Sequence, residues 1–156
     1  MPSFDARKLL DEAEAARSAL LDHARSVSES RVFGRTDRPG WTLKHELSSV
    51  AAADGELLHV FGELRRGRSL DGGGLDLRRR FAEAMLAVQH QRLSSIVERL
   101  EQDGAAFASY IDDHSDLLER PLKLAGREAN SLGELAHGHV ERLRAAVSAF
   151  DEHAKR

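Results

Sequence analysis

Ser131–Phe150 reads SLGELAHGHVERLRAAVSAF, and its reading decides the fold. It opens with a capping box: the Ser131 hydroxyl accepts from the backbone N–H of Glu134, and the Glu134 carboxylate reaches back. Each helical residue turns about 100°, so with His139 at zero, Leu135 and Leu143 fall about 40° to either side. Leu132, Ala146 and Phe150 fall within about 20° of it. The segment predicts one amphipathic helix, running to about His153, that buries a single apolar stripe. His139 sits at the centre of that stripe. His137 lies about 160° away and faces solvent. The pair is therefore not chelating, because two ligands on one helix need i, i+3 or i, i+4 spacing. His139 is the residue to explain.

Three more segments carry the same period. The first runs from Phe4 to Val27, with Leu9, Ala13, Ala16, Leu20, Ala24 and Val27 on one face. The second starts at Thr42, which can cap it, and runs to Arg66 with a stripe of Leu43, Leu47, Val50, Leu58 and Phe61. The third spans Leu77 to Gln102 with Ala82, Met85, Leu93, Ile96 and Leu100, and Gly104 ends or kinks it. Between them lie breaker-rich SESRVFGRTDRPG, glycine-rich GRSLDGGGLD and a loop through Pro121. Four amphipathic helices without a credible strand imply an all-α, four-helix bundle. The first and third connections are long enough to cross it.

The 156 residues suit a single domain, 1–156. Hydrophobic residues make up 41% and charged residues 31%, as in a soluble globular chain. The absence of cysteine excludes disulfides, thiolate metal sites and a cysteine nucleophile. A net charge of −3 gives no pull toward nucleic acid or membrane. No apolar run approaches the roughly 20 residues of a membrane span, and the first residues lack a signal peptide's apolar region. A cytoplasmic protein is expected. The DGGG run lacks the Lys-Ser/Thr of a phosphate loop. The arginines flanking it, 65, 66, 68 and 78–80, read as solvated helix ends diluted by Asp71 and Asp76.

Two further polar residues interrupt apolar stripes: Asp54 between Val50, Leu58 and Phe61, and Gln89 between Met85, Leu93 and Ile96. A buried carboxylate or imidazole needs partners. If the three meet, Asp54 accepts from His139 with Gln89 alongside, and His90 reaches the same pocket. One reading is an intra-bundle pocket in which His139 is a catalytic base and Asp54 its orienter. The other is a satisfied core network without chemistry.

GWTLKHELSSVAAAD (Gly40–Asp54) and RPLKLAGREANSLGELAHGHVERLRAAV (Arg120–Val147) resemble the second helix and the final loop and helix of the DinB/YfiT superfamily. That superfamily includes mycothiol-dependent maleylpyruvate isomerases and bacillithiol transferases. The resemblance implies a four-helix bundle with crossover loops. It also implies a metal triad: one histidine on helix two and two groups four residues apart on the last helix. Carried over, these fall on Ser49, His139 and Leu143, and only His139 is a ligand. Zinc or nickel held by one imidazole is not credible, so no cofactor is expected. A metal with replacement ligands from Asp54, Glu46 or His90 is the alternative.

Three functions follow. The first is a divergent DinB-like protein with a degenerate metal site, binding a small molecule in a pocket near His139, Asp54, Ser49, Gln89, His90 and Leu143. The second is a metal-dependent thiol transferase or hydrolase with rearranged ligands. The third is a non-catalytic dimeric interaction bundle. A homodimer is expected from apolar residues off the main stripes: Leu10, Leu21, Leu57, Leu64, Leu86 and Val97.

Overall fold

The computed structural model describes residues 5–36, 38–67, 77–122 and 131–155. Phe4, Arg68 and most of the glycine-rich run lie outside the described residues, and the side chains of Leu77 and Arg78 are not described. The described residues form five helices: α1 (Ala6–Ser26), α2 (Leu43–Arg65), α3 (Leu77–Gln89), α4 (Leu93–Asp113) and α5 (Leu132–Ala154). No strand occurs among them beyond two isolated bridges, Arg35 with Thr42 and Pro121 with Ser131. Three helices start on side-chain caps that satisfy orphan N–H groups. Asp5 accepts from Lys8 N–H, Thr42 from His45 N–H and Ser131 from Glu134 N–H.

The four long helices form a ring. α1 packs against α5 and α4, and α2 packs against α5, α4 and α3. Two apolar clusters divide the interior. One joins the first half of α1 to the second halves of α2 and α4 and the start of α5, through Leu10, Leu57, Phe61, Ile111, Leu132 and Val140. The other joins the end of α1 to the starts of α2 and α4 and the end of α5, through Leu20, Leu47, Val50, Ile96, Leu143 and Phe150. α1 therefore runs parallel to α5, and both run antiparallel to α2 and α4. The 27–42 connection crosses the bundle, and α3 returns the chain along α2.

The third helix differs from expectation. The period suggests one helix over Leu77–Gln102, but the chain breaks at 90–92 and α4 continues as a single helix past Gly104 to Asp113. The reason is tertiary. Arg92, at the N-cap, supplies no side-chain bond of its own. The Glu29 carboxylate, from the loop after α1, accepts from the Leu93 N–H at 2.9 and 3.1 Å instead. A distant residue thus caps α4, which local patterning cannot show.

The residues off the main stripes also find other partners. Leu10, Leu21, Leu57 and Leu64 are buried within the chain itself, and Val97 is half-buried. Those lines are internal packing, so the seam proposed for a homodimer is used up apart from Leu86. α2 is the extreme case: every residue from Leu47 to Asp54 is buried, because α3, α4 and α5 enclose it. No described helix is long and apolar enough to cross a membrane.

Candidate functional site

Between the two apolar clusters the four long helices each contribute to one polar layer. Arg17 comes from α1, Asp54 from α2, Asp103 and the Leu100 carbonyl from α4, and His139 from α5. Arg17, Asp54 and His139 are 7%, 2% and 5% exposed, which puts two full charges out of water. The geometry offsets that cost. The Arg17 guanidinium grips Asp54 through two parallel bonds, Nη1 to Oδ2 at 2.9 Å and Nη2 to Oδ1 at 2.7 Å. Nη1 also donates to the Leu100 carbonyl at 3.0 Å. On the other side, His139 Nε2 lies 2.5 Å from Asp54 Oδ1. A guanidinium beside a carboxylate leaves that carboxylate able only to accept, so Nε2 carries the proton. The 3.4 Å approach of Arg17 Nη2 to the same nitrogen is then a contact between donors.

Burial by itself pushes the Asp54 carboxyl up. The hydrogen bonds from His139 and Arg17, with the positive charge of the guanidinium, outweigh it and hold Asp54 below the ordinary carboxylate value. Asp103 is the opposite case. Burial and the negative charge of Asp54 push it up to about 6, and the Arg99 Nε at 3.7 Å offsets this only in part. Two polar atoms of the layer stay buried without a hydrogen bond: Asp103 Oδ2 and His139 Nδ1. The His139 ring also leans on Phe107, with centroids 6.2 Å apart.

Gly104 gives the layer its room. A Cβ there would stand 2.5 Å from Arg17 Cδ and 2.8 Å from Nε. A side chain there would have to displace this end of the Arg17 side chain.

The remaining candidates lie elsewhere. Gln89 ends α3, half-buried, and His90 is exposed in the break after it. Neither bonds to the layer, because the helix break moves them off the α4 face on which the period places them. The Ser49 hydroxyl donates back to the Glu46 carbonyl at 2.8 Å. Five residues before Asp54, it points about 140° away round α2. Val50 shares the Asp54 face instead and packs in the same apolar cluster as Leu143. Leu143 is fully buried in that cluster. His137 is exposed and near Glu141 on its own helix.

The donor set therefore does not fit the metal triad that the resemblance implies. Ser49 is turned to its own helix, Leu143 has no donor atom, and the Nε2 of His139 faces a carboxylate already held by a guanidinium. A divalent cation at Nε2 would meet the positive charge of Arg17. Among the described residues no three His, Asp or Glu side chains converge on a metal-sized site.

Arg17 and Asp103 are absent from the sequence-based candidates, yet the signal was present. On α1, Leu10, Ala13, Leu21 and Ala24 all fall within about 40° of Arg17. On α4, Ile96, Leu100 and Phe107 fall within about 60° of Asp103. Both are charged residues at the centre of an apolar arc, as Asp54 and His139 are.

No protein-family model matches the chain, and no curated protein matches it in sequence. Solved structures do match its shape. A protein from Streptococcus pneumoniae superposes with a TM-score of 0.76 at 14% identity, over 99% of this chain and 93% of its own. An uncharacterised protein from Escherichia coli UTI89 gives 0.77 at 13% identity, over 99% and 95%. The mycothiol-dependent maleylpyruvate isomerase gives 0.77 at 12% identity, over 96% of this chain and 63% of that enzyme. Over the 63% of that enzyme it spans, the chain shares its fold. The DinB/YfiT resemblance of the sequence thus stands at the level of the fold: an all-α bundle of that type, with four long helices and a short return helix.

Proposed function

We propose that this protein is a divergent DinB-type bundle that works without the metal centre implied by the resemblance, and binds a small molecule beside its buried Arg17–Asp54–His139 layer. One observation carries the reading. A groove of about 320 Å³ between α1 and α4 is lined by Ala13, Arg17, Leu21, Gly104 and Phe107 among others, so a member of the layer forms part of its wall. Other grooves of about 470 and 530 Å³ are lined by residues such as Leu93 and Val97, or Phe33 and His153, and do not reach the layer.

The groove is apolar apart from its rim and floor, and its size suits a small ligand. Arg17 spends Nη1 and Nη2 on the layer and makes no hydrogen bond through Nε. The ligand class that matches is a compact apolar molecule carrying one acceptor, a carboxylate or carbonyl oxygen, for that N–H. The bare Nδ1 of His139 favours a second reading, in which the imidazole acts as a base. Asp54 holds the opposite nitrogen in its protonated form, which leaves the Nδ1 lone pair as the basic position. Phe107, which touches the ring and lines the groove, would have to turn aside to admit a substrate.

A panel of aromatic and short-chain carboxylates and carbonyl compounds, followed by NMR chemical-shift perturbation, tests this. Binding should shift residues of α1 and α4 around the groove. Ala105→Trp, which fills the groove from an exposed position, should abolish those shifts while leaving the melting temperature unchanged. Shifts confined to the other grooves, or unaffected by Ala105→Trp, would refute the groove as the site.

A further inference from the structure

The 27–42 connection carries chemistry that the buried layer does not use. Its short 3-10 turn, Arg31–Phe33, buries Val32 completely. Each residue of such a turn is about 120° from the next, so Arg31 and Phe33 point away from the core, and both are exposed. Phe33 is 59% exposed, and with Leu86 it is one of two large apolar side chains left in water among the described residues. Beside it, the end of α5 brings up His153. A groove of about 530 Å³ opens between them, lined by Ser30, Arg31, Phe33, Gly34, His153 and Ala154. We infer that this corner is a second binding site, for a compact aromatic anion: Phe33 stacks on the ring, and Arg31 and His153 hold its carboxylate or phosphate.

Two independent observations support this. The first is the placing of His153. A Cβ on Gly34 would stand 2.4 Å from His153 Cε1 and 2.9 Å from Nε2, so that edge of the imidazole rests where a side chain would exclude it. Gly34 spends its own polar groups elsewhere: its N–H donates to the Arg31 carbonyl at 2.9 Å, and its carbonyl accepts from the Leu43 N–H at 3.0 Å. Nδ1 is buried without a partner, and Nε2 has none among the described residues. A buried nitrogen with no acceptor favours the tautomer that carries its proton on the other one, which leaves the Nε2 N–H to donate to an incoming oxygen. The second observation is charge. Arg31 and Lys44 have no ion pair among the described residues, and the Lys44 ammonium stands 5.2 Å from the Phe33 ring centroid. No carboxylate among those residues lines the groove. The acids nearby in sequence are turned elsewhere. Glu29 caps α4, Asp151 pairs with His23 at 2.9 Å, and Glu152 lies about 100° round α5 from His153. The C-terminus of α5 brings about half a negative charge, which two full cations outweigh. With Lys44 over one face of Phe33, the other face is left for an aromatic ligand.

The test is NMR titration of wild type with phenyl phosphate and with phenylacetate, set against inorganic phosphate and benzyl alcohol as the separate halves of such a ligand. An aromatic anion should shift the amides of residues 30–34 and the His153 ring, and added salt should weaken its binding. Inorganic phosphate and benzyl alcohol should each bind at least about tenfold more weakly, since each makes only half of the contacts. Phe33→Ala and Arg31→Ala, at exposed positions where substitution leaves the fold intact, should each cost about tenfold in affinity, and so should His153→Ala. Ala105→Trp, which fills the α1–α4 groove, should change nothing at this corner, so the two sites stand or fail separately. The absence of shifts at 30–34 with both aromatic anions, half-ligands that bind as tightly as the whole, or full affinity in Phe33→Ala, Arg31→Ala or His153→Ala would each overturn the inference.

Discussion

The middle of this bundle and the two layers flanking it are built on opposite principles. The flanking clusters are leucine, isoleucine, valine, alanine and phenylalanine packed from four helices. The middle layer is arginine, aspartate and histidine, equally buried. In an apolar layer a truncation costs the transfer and cavity terms of the atoms removed and leaves no neighbour uncompensated. In the charged layer, removing one partner also leaves the others buried without compensation. That contrast makes the layer the point at which substitutions should be most diagnostic.

The largest expected effect is Asp54→Ala. It leaves Arg17 buried without its counter-charge, at a cost of about 4 kcal/mol. Urea unfolding measures it, and a loss near that of a surface mutant would mean that the layer is wetter than its burial implies. In the flanking layer, Leu143→Ala should cost about 3 kcal/mol through the cavity it leaves. Replacing the whole charged set together, Arg17→Met with Asp54→Leu and His139→Leu, should cost far less than Asp54→Ala alone and end within about 2 kcal/mol of wild type, in either direction. If the triple variant is as unstable as the single one, the layer is not self-compensating and the contrast fails.

The pH dependence separates the two carboxyls of the layer. Asp54 is held below its ordinary value, so its contribution is present above about pH 4 and lost as pH falls below that. Asp103 is pushed up to about 6. Its neutral form suits the fold, so its contribution is present below about pH 4 and is lost as pH rises from there through 6. Asp103→Asn should therefore remove a decline in stability between about pH 4 and 6 and leave the protein about 1–2 kcal/mol more stable at pH 7. Denaturant midpoints at several pH values would show it, and an unchanged slope would count against the coupling of Asp103 to Asp54. The smallest effect is His137→Ala, within about 0.5 kcal/mol, since the side chain is exposed. Together with His139→Leu it tests how far two positions move a histidine from layer to solvent.

The sequence by itself determined the bundle, the caps at Thr42 and Ser131, and the facing of His139 and Asp54 into the interior. Each is a local property: a 3.6-residue period or a capping residue three positions from its donor. Arg17 also sits within an apolar arc, but its burial becomes evident only in the folded chain, where Asp54 supplies the counter-charge. Tertiary structure alone decided the rest. Which polar residues meet depends on helix order round the ring and on axial level. So His139 meets Asp54 and Arg17, while Gln89 and His90 end on a return helix away from them. The break at 90–92 rests on Glu29, some sixty residues earlier. The room for a guanidinium rests on Gly104, whose missing side chain has meaning only once α1 lies across it.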